Sequence, residues 1–428
     1  MIAAMFAVFL AALLIGIPIA FSVGLSVVAA MAEAGFGDSL YIIPQQVLEG
    51  IDNVSLLAIP FFILAGNLMN AVGITDRIFN FAESLAGHFK AGLAQVNVLA
   101  SMIFAGVNGA AVADCAGLGK IEIRAMKDRG YPAEFAAAVT VASSVIGPLI
   151  PPSIGLLVYA YLAQTSVARL FLAGILPGVL VGAALMVTNR IFAEIYDFPQ
   201  SPRASLREVV AKGKLALPAM VAPAFIVIAI VWGFATAHEA GVIACAYALL
   251  LGALTGQLRR AELWAALSDT VVVTSVIMMI IGFTTVMGWL IAIEQVPQML
   301  AAGVLEATDS RPVFLLITVV FLIVIGCFIE GVPAKLILVP IFLPLVDHFG
   351  IDRVHFGLIV QLALLIGIAT PPMGVGLFIV AEIARVPFER VTMATIPFLV
   401  PLVLVLMLIT YVPGFSLWLP DLILGPEQ

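Results

Sequence analysis

The chain has 428 residues, of which 63% are hydrophobic and 11% charged, and its formal net charge is −7. Soluble domains carry about 25% charged residues, so this composition excludes a soluble globular protein and indicates a polytopic membrane protein. The modest negative charge argues against nucleic acid as a partner, and the 3 cysteines lie in apolar stretches without disulfide or metal-ligand spacing.

Long apolar runs divide the chain into predicted membrane-spanning helices, because about 20 apolar residues are needed to cross a bilayer. In chain order these runs lie near 2–31, 51–71, 135–163, 168–195, 216–236, 240–256, 268–295, 355–382 and 393–413. After the second run, the stretch 72–90 mixes charged and apolar residues and predicts an interfacial helix. The long polar stretch 196–214 predicts the linker between two halves of the chain.

Two further apolar blocks, 91–118 and 312–347, contain small or helix-breaking residues in their middle. Each block is either one poor span or a re-entrant hairpin that enters and leaves on the same side of the membrane. The basic residues favour hairpins, because Lys and Arg collect in cytoplasmic loops. With two hairpins, all of the 19 basic residues fall in or beside loops on one side, except Arg169, Arg311, Lys335 and Arg353. This interpretation places the amino terminus in the cytoplasm and the carboxy terminus outside.

Two matching proline pairs interrupt apolar segments at an offset of 220 residues, one within Gly147–Ser153 and the other within Gly367–Met373. The same offset relates Gly106 in the first block to Gly326 in the second. A proline pair blocks a continuous helix, and open backbone at membrane depth needs protein or a water-filled cavity around it. The pattern predicts two inverted repeats, each with a hairpin and a broken helix, around a central site. The competing interpretation is two kinks between packed helices.

The candidate ligands at these breaks are mainly backbone oxygens. Carbonyl groups suit a bare alkali cation, and Asn108 in the first hairpin adds a side-chain oxygen. Thr370 occupies the place of Ile150 in the second half and adds a hydroxyl. Helix N-termini at the same breaks favour a carboxylate group. The sequence therefore predicts a site for a cation together with an anion.

Three charged residues lie within or close to the predicted hairpins. Glu330 and Lys335 are intramembrane charges, which either handle an ion or substrate or neutralise each other. Asp114 lies near basic residues at the end of the first hairpin, where a contact with a helix end is the simpler interpretation.

Four stretches resemble the large membrane subunit of tripartite ATP-independent periplasmic (TRAP) transporters, also called the DctM-like or M subunit. They are Ala58–Met69, Phe104–Asp114, Gly147–Ser153 and Ala369–Gly374. The resemblance implies an elevator-type, sodium-driven importer of organic acids in the bacterial inner membrane. It also implies two partners, a small four-helix membrane subunit and a periplasmic substrate-binding protein. Because the chain begins at its own first span, the small subunit is expected to be a separate polypeptide.

The resemblance also implies two sodium sites and a substrate site. The sodium residues are Asn108, Ala110, Gly147, Ile150, Pro152, Gly326, Glu330, Gly331, Gly367, Thr370 and Pro372, and the substrate residues are Gly106, Val107, Gly109, Ser153, Val332, Pro333 and Met373. In the first hairpin the family often has Gly-x-Ser-Gly-Ser, whereas this chain has Asn108 and Ala110 in the serine places. Ala has no side-chain ligand, so we expect the first site to depend on backbone oxygens.

These expectations divide the chain into scaffold and transport regions of an all-α elevator-type transporter. The regions are N-terminal scaffold helices (1–71), an arm helix (72–90), a first transport repeat (91–195, with hairpin 91–118 and broken helix 135–163), a cytoplasmic linker (196–214), second-half scaffold and arm helices (215–295), a second transport repeat (296–413, with hairpin 312–347 and broken helix 355–382) and a periplasmic tail (414–428).

The leading hypothesis is sodium-coupled import of an organic acid delivered by a binding protein. A stand-alone ion- or proton-coupled carrier of similar architecture is the alternative, and dependence on a binding protein distinguishes the two. An intramembrane enzyme has little support, because the sequence has no paired Asp motif, Ser/His arrangement or metal-ligand cluster at membrane depth.

Overall fold

The computed structural model describes residues 1–35, 40–196, 198–296, 298–299, 303 and 308–426, and for residues 107 and 108 it describes the backbone alone. The end of the predicted tail, 427–428, and parts of 296–307 lie outside the described residues. The described part of the chain is helical and contains no strand.

The first half comprises α1 (Ile2–Leu14), α2 (Ile19–Glu33), α3 (Ile42–Ile51), a 3-10 helix (Val54–Leu57), α4 (Ala58–Ala71), α5 (Ile74–Ala86), α6 (Gly92–Asn108), α7 (Ala111–Ala116), α8 (Leu118–Asp128), α9 (Ala133–Ser144), α10 (Ile154–Ala163) and α11 (Val167–Ile195). The second half comprises α12 (Leu206–Val231), α13 (Ala237–Thr255), α14 (Arg260–Ile293), α15 (Arg311–Phe328), α16 (Gly331–His348), α17 (Arg353–Ile368), α18 (Val375–Ala384), α19 (Phe388–Tyr411) and α20 (Gly414–Leu424).

Among the described residues, 8 helical segments are long and apolar enough to cross a membrane. Further apolar helices are shorter, and they include both parts of each broken helix. This architecture confirms the predicted all-α polytopic class. The helix α12 begins at Leu206, within the stretch predicted as a linker, and the stretch predicted as a tail contains α20.

The predicted single crossing at 2–31 is wrong, because the chain turns back between α1 and α2 and the two helices pack side by side. The amino group of Met1 lies 3.3 Å from the carboxylate of Glu33. The ends of one continuous helix of this length would be about 45 Å apart at 1.5 Å per residue. Gly16 makes the turn with a φ of +84°, which glycine adopts without a Cβ clash.

Both hairpin blocks bring their own ends together. In the first block, the hydroxyl of Tyr131 accepts a hydrogen bond from the Leu93 amide at 3.3 Å, so the beginning of α6 lies beside the end of α8. The returning arm is interrupted at Gly117, between α7 and α8. In the second block, the rings of Phe314 and Phe349 stack with centroids 4.7 Å apart, which places the outer ends of α15 and α16 side by side.

Both predicted broken helices are interrupted in the structure. The helix 135–163 forms as α9 and α10 with a non-helical break at 145–153, and the helix 355–382 forms as α17 and α18 with a break at 369–374. The peptide bonds Pro151-Pro152 and Pro371-Pro372 are cis. Each break ends where a new helix begins, so the first amides of α10 and α18 border the breaks without a partner in their own helix.

The predicted basic loops meet on one side of the molecule, which we call the basic face. Side-chain contacts across this face join Arg77 to Gln257, Arg129 to Glu83 and Lys127 to the Ala384 carbonyl. The 29-residue α11 runs from this face, where Lys90 donates to Glu194 at 2.9 Å, to the opposite face. There Arg169 donates to the carboxylate of Asp421 on α20.

The amino terminus also lies at the face opposite the basic face. The first residue of α14 is close to Gln257, so α14 begins at the basic face. A Cβ placed at Gly24 of α2 would lie 3.1 Å from Phe283, well along α14. Asn67 near the end of α4 donates to Thr270 near the beginning of α14, so α4 begins on the opposite side, and α3, with 10 residues, is too short to cross a membrane between α2 and α4. The structure therefore removes the single crossing on which the predicted cytoplasmic amino terminus depended.

The helices pack in two groups that meet at the breaks. In one group, which we call the scaffold group after the predicted division of the chain, α4 packs against α13 and α14, and α2 and α3 also pack against α14. In the other group, α9 packs against α19, α15 against α17, and α10 against α16, which joins the two halves. The first hairpin contacts the scaffold group through α12 and α4, and the second hairpin contacts it through α14.

Candidate functional site

The tip of the first hairpin lies directly against the first break. A Cβ placed at Gly109 would be 2.8 Å from the Pro152 carbonyl oxygen, and one at Gly106 would overlap with Pro223 of α12 and lie 3.6 Å from the Pro151 carbonyl oxygen. Small residues at the tip therefore allow hairpin, break and scaffold to meet at van der Waals distance. This contact brings the predicted residues Gly106, Gly109 and Pro152 together.

The other predicted residues of the first site differ in which backbone or side-chain groups they can offer to a ligand. Ala110 is extended and precedes α7, so its carbonyl is the first acceptor of that helix. The side chain of Ile150 packs on Gly178 of α11, so only its backbone is available to a ligand in the break. Asn108 and Val107 end α6, and their side chains lie outside the described residues.

Ser153 has a structural role at the first break. Its hydroxyl donates to the Pro148 carbonyl and accepts from the Leu156 amide at 3.2 Å, so it caps α10, and the residue is fully buried. Ser is a preferred N-cap residue for this reason. In this conformation the hydroxyl predicted to bind substrate is engaged within the break.

The second hairpin contacts the second broken helix through backbone. A Cβ at Gly326 would lie 2.6 Å from the Leu364 carbonyl oxygen, and a Cβ at Gly367 would overlap with the backbone of Gly326. Gly326 and Gly367 therefore touch, as predicted residues of one site. Gly331 and Pro333 are buried in the first turn of α16, and Val332 is partly buried there.

The second break is more open than the first. Pro372, Glu330 and Met373 are exposed, and Met373 is 51% exposed, whereas the first break is buried apart from Ile150. The hydroxyl of Thr370 donates to the Ile366 carbonyl at 2.7 Å, which leaves its oxygen lone pairs available. The second site therefore combines side-chain oxygens with access from outside the helix bundle.

Glu330 and Lys335 do not form the ion pair that sequence analysis left open. Within the described residues no salt bridge at or below 4.0 Å joins them: Glu330 is the exposed residue before α16, whereas Lys335 is 2% exposed. The two charges still attract each other over this longer distance, so their mutual neutralisation stays a prediction.

Asp114, in the first turn of α7, is a buried acidic residue beside the first break. The residue is 4% exposed, and its Oδ1 has no hydrogen-bond partner among the described residues. A Cβ at Gly147 would lie 3.8 Å from Asp114 Oδ2, so the carboxylate faces the first break. Its position near basic residues along the chain suggested a helix-end contact, and burial was the information that the sequence lacked.

Asp114 lies at one end of a buried polar column inside the first hairpin. The Ser101 and Ser143 hydroxyls are 3.2 Å apart, Ser143 donates to Asn97 at 2.7 Å, and Asn97 donates to Thr140 at 2.7 Å. At the 220-residue offset, the corresponding residues are all apolar: Ile317, Phe321, Ala334, Val360 and Ala363. The two halves share a pattern of breaks, but the first half alone has this polar interior.

The donor set at both breaks consists of hard oxygen ligands. Carbonyls, the Thr370 hydroxyl and the Asp114 carboxylate suit an alkali cation rather than a transition metal. No group of three or more His, Cys, Asp or Glu residues that could hold a metal ion occurs in the described part of the chain. Asp114 Oδ1, buried without a donor, is the observation that fits a cation at the first break.

Two broken helices facing two hairpin tips, in an all-helical membrane protein, define the class as a secondary transporter. A family model described as "Tripartite ATP-independent periplasmic transporter, DctM component" matches residues 6–415. The chain belongs to this family, as the resemblance in its sequence indicated.

Individual relatives support the same family. The chain is 44% identical over 385 residues to the sialic acid TRAP transporter large permease protein SiaM of Vibrio cholerae, covering 90% of each chain. It is 36% identical to the C4-dicarboxylate TRAP transporter large permease protein DctM of Pseudomonas aeruginosa, again with 90% of each covered. Its fold is similar to that of the YdaH transporter of Alcanivorax borkumensis, with a TM-score of 0.62, 17% identity and 91% of each chain covered.

Proposed function

We propose that this chain is the large membrane subunit of a sodium-coupled importer of an organic acid. The relatives at 44% and 36% identity are large permease proteins for sialic acid and C4-dicarboxylates, both of which are carboxylates. The family name implies a small membrane subunit and a periplasmic substrate-binding protein as partners. The observation that carries the sodium coupling is the buried Asp114 carboxylate, whose Oδ2 faces the Gly147 break and whose Oδ1 lacks a partner among the described residues.

Each break has a distinct part in the proposal. The first sodium ion binds between the first hairpin and the first break, where the carbonyls of Gly147 and Pro152 and the carboxylate of Asp114 supply oxygens. The second binds near Gly367 and Thr370. The acid binds between the hairpin tips, where the positive ends of α10 and α18 attract a carboxylate.

Coupling follows from the cost of moving charge. A buried site that holds sodium without a compensating anion is expensive at membrane depth. The group with the hairpins and broken helices therefore crosses rarely with sodium alone, whereas the fully loaded and the empty states cross readily, as coupling requires. The scaffold group around α4, α13 and α14 stays fixed, which makes the motion an elevator.

The proposed orientation places the basic face in the cytoplasm, because Lys and Arg collect there. Both termini then lie on the periplasmic side, since Met1 and Asp421 are at the opposite face. The protein is accordingly a multi-pass protein of the bacterial inner membrane with both ends outside.

Uptake in proteoliposomes tests this function. Vesicles containing this chain and the small membrane subunit receive radiolabelled N-acetylneuraminate or succinate with the binding protein, under an inward sodium gradient or an equal potassium gradient. Accumulation that needs both sodium and the binding protein supports the proposal. Accumulation that ignores sodium contradicts the coupling, and equal uptake without the binding protein favours a stand-alone carrier.

A further inference from the structure

Lys335 is the buried cation of the second hairpin, and its surroundings are unusual for an ammonium group. The residue is 2% exposed, and among the described residues its Nζ has no hydrogen bond and no ion pair within 4.0 Å, while the Glu330 carboxylate attracts it from a longer distance. An ammonium has three donors. Burying it without a close charged partner is costly, so a negatively charged group would be stabilised at this position.

The Lys335 side chain extends back toward the beginning of α16, as long helical side chains do. A Cβ at Gly331, the first residue of α16, would be 3.8 Å from Nζ. A Cβ at Gly155, the second residue of α10, would be 2.6 Å from the same atom. The ammonium therefore lies beside the first turns of two helices, and each contributes partial positive charge. Three positive elements converge on one point between the two halves.

Gln361 of α17 lines this position with an acceptor oxygen, which suits the ammonium of Lys335. Its Nε2 donates to the Pro148 carbonyl at 2.8 Å, which holds the amide against the first break, and its Oε1 has no partner among the described residues. The same Cβ at Gly155 would be 2.7 Å from that Oε1. Gly155 is thus the residue whose missing side chain leaves room for both polar groups.

Lys335 and Gln361 have no polar counterpart in the other repeat. At the 220-residue offset, Lys335 corresponds to Cys115, Gln361 to Val141 and Gly155 to Val375. The second half alone places a buried charge here, and its Gly155 partner in the first half provides the space. Apolar residues could fill a purely structural role at these positions, because Cys115 and Val141 occupy the positions that correspond to Lys335 and Gln361.

We propose that the Lys335 ammonium binds a carboxylate of the transported acid and is a specificity-determining residue of this transporter. This inference rests on the proposed function and names the group that holds the anion. The carboxylate replaces the missing acceptors of Nζ, and the N-termini of α10 and α16 add attraction of the same sign. Movement of the second hairpin, whose tip is exposed at Glu330, gives the acid access.

The test measures acid affinity in the complex with the small membrane subunit and the binding protein. At constant sodium, uptake and the thermal midpoint of the complex are titrated with N-acetylneuraminate and with succinate. For Lys335→Met we expect the half-saturating acid concentration to rise at least about tenfold, as for loss of a charge-assisted hydrogen bond. The half-saturating sodium concentration and the thermal midpoint without acid should not fall, because an unpaired buried charge has been removed.

Three further variants keep the test decisive. Lys335→Gln repeats the charge removal if the Met variant fails to assemble. Gly155→Ala keeps the charge but fills the space, and it should weaken the same acid. Lys127→Met removes a lysine that donates to the Ala384 carbonyl at the basic face, and it should change neither titration.

Equal acid affinity in wild type and both Lys335 variants overturns the inference while the proposed function stands. If the wild type neither binds nor accumulates either acid, the proposed function fails for both classes of acid, and the inference fails with it.

Discussion

Thr370 is the side chain that makes the second break chemically different from the first, where Ile150 occupies the same repeat position. Its hydroxyl donates to the Ile366 carbonyl, so its lone pairs remain for a cation. For Thr370→Ala we expect a several-fold rise in the half-saturating sodium concentration for uptake, and Thr370→Ser should restore it.

Thr395→Ala is the matched control for this variant. Thr395 makes the same type of bond, to the Val391 carbonyl at 2.8 Å, in α19. If both alanine variants shift the sodium response equally, the effect belongs to helix stability rather than to a sodium site.

Asp114 gives a second prediction about single residues. Asp114→Asn keeps the shape but removes the charge that faces Gly147, so we expect sodium-driven uptake to need at least about tenfold more sodium, since a charge-assisted contact is lost. Glu122→Gln is the comparison, because Glu122 is 1% exposed and its Oε1 also lacks a partner. A larger sodium shift in the Glu122 variant would move the first site away from the break.

The sequence predicted the breaks well because proline pairs act locally. A Pro-Pro pair stops a helix in any environment, so the local sequence alone gives the positions of both breaks. The first crossing was misread for the opposite reason. Apolar residues show that α1 and α2 lie in a membrane, but two short helices and one long helix have the same composition. The direction of the chain after Gly16 depends on a turn, which hydropathy does not report.

The environment of the charged side chains could not be predicted from the sequence either. Asp114 and Lys335 occupy adjacent repeat positions, since Ala334 corresponds to Asp114. Spacing placed both residues in hairpins but could not show that Lys335 approaches Gly155, which lies in the other half of the chain. Such a contact comes from packing between α10 and α16, not from local sequence.

The packing of α11 against the first break supplies a prediction about elements. A Cβ at Gly174 would overlap with the Leu149 carbonyl oxygen and lie 3.3 Å from Leu156. For Gly174→Ala we expect a loss of about 1–3 kcal/mol of stability, as in other overpacked sites, measured as a lower thermal midpoint in detergent.

Gly288→Ala is the control within a helix interior. No atom lies within 4 Å of a Cβ placed at Gly288 in α14, so this change should be neutral or stabilise by about 0.5–1 kcal/mol. A Gly174 variant as stable as the Gly288 variant would show that α11 can move away from the break at no cost.

At the scale of the whole molecule, the proposed orientation predicts which positions are accessible from outside the cell. Single cysteines replace Glu33 or Arg124 in a protein whose own cysteines, Cys115, Cys245 and Cys327, are changed to alanine. A membrane-impermeant maleimide should label the cysteine at Glu33 in intact cells and the cysteine at Arg124 only after permeabilisation. Labelling of Glu33→Cys only after permeabilisation would return the amino terminus to the cytoplasm.

Relative motion of the two helix groups can be tested by linking them. Gly106 of the first hairpin touches Pro223 of the scaffold helix α12, and a small shift brings a Gly106→Cys, Pro223→Cys pair to disulfide distance. In the same cysteine-free protein, oxidation of this pair should stop sodium-driven uptake, and a reductant should restore it.

The control is the pair Phe61→Cys with Gly241→Cys, because a Cβ at Gly241 would be 2.8 Å from Phe61 Cβ and both residues lie in the scaffold group. An elevator requires hairpin and scaffold to slide past each other, whereas the scaffold helices α4 and α13 stay together throughout. Uptake should therefore survive oxidation of the scaffold pair. Full uptake with the Gly106–Pro223 disulfide formed would show that the hairpin does not move against α12 during transport, and the elevator mechanism would have to be abandoned for this chain.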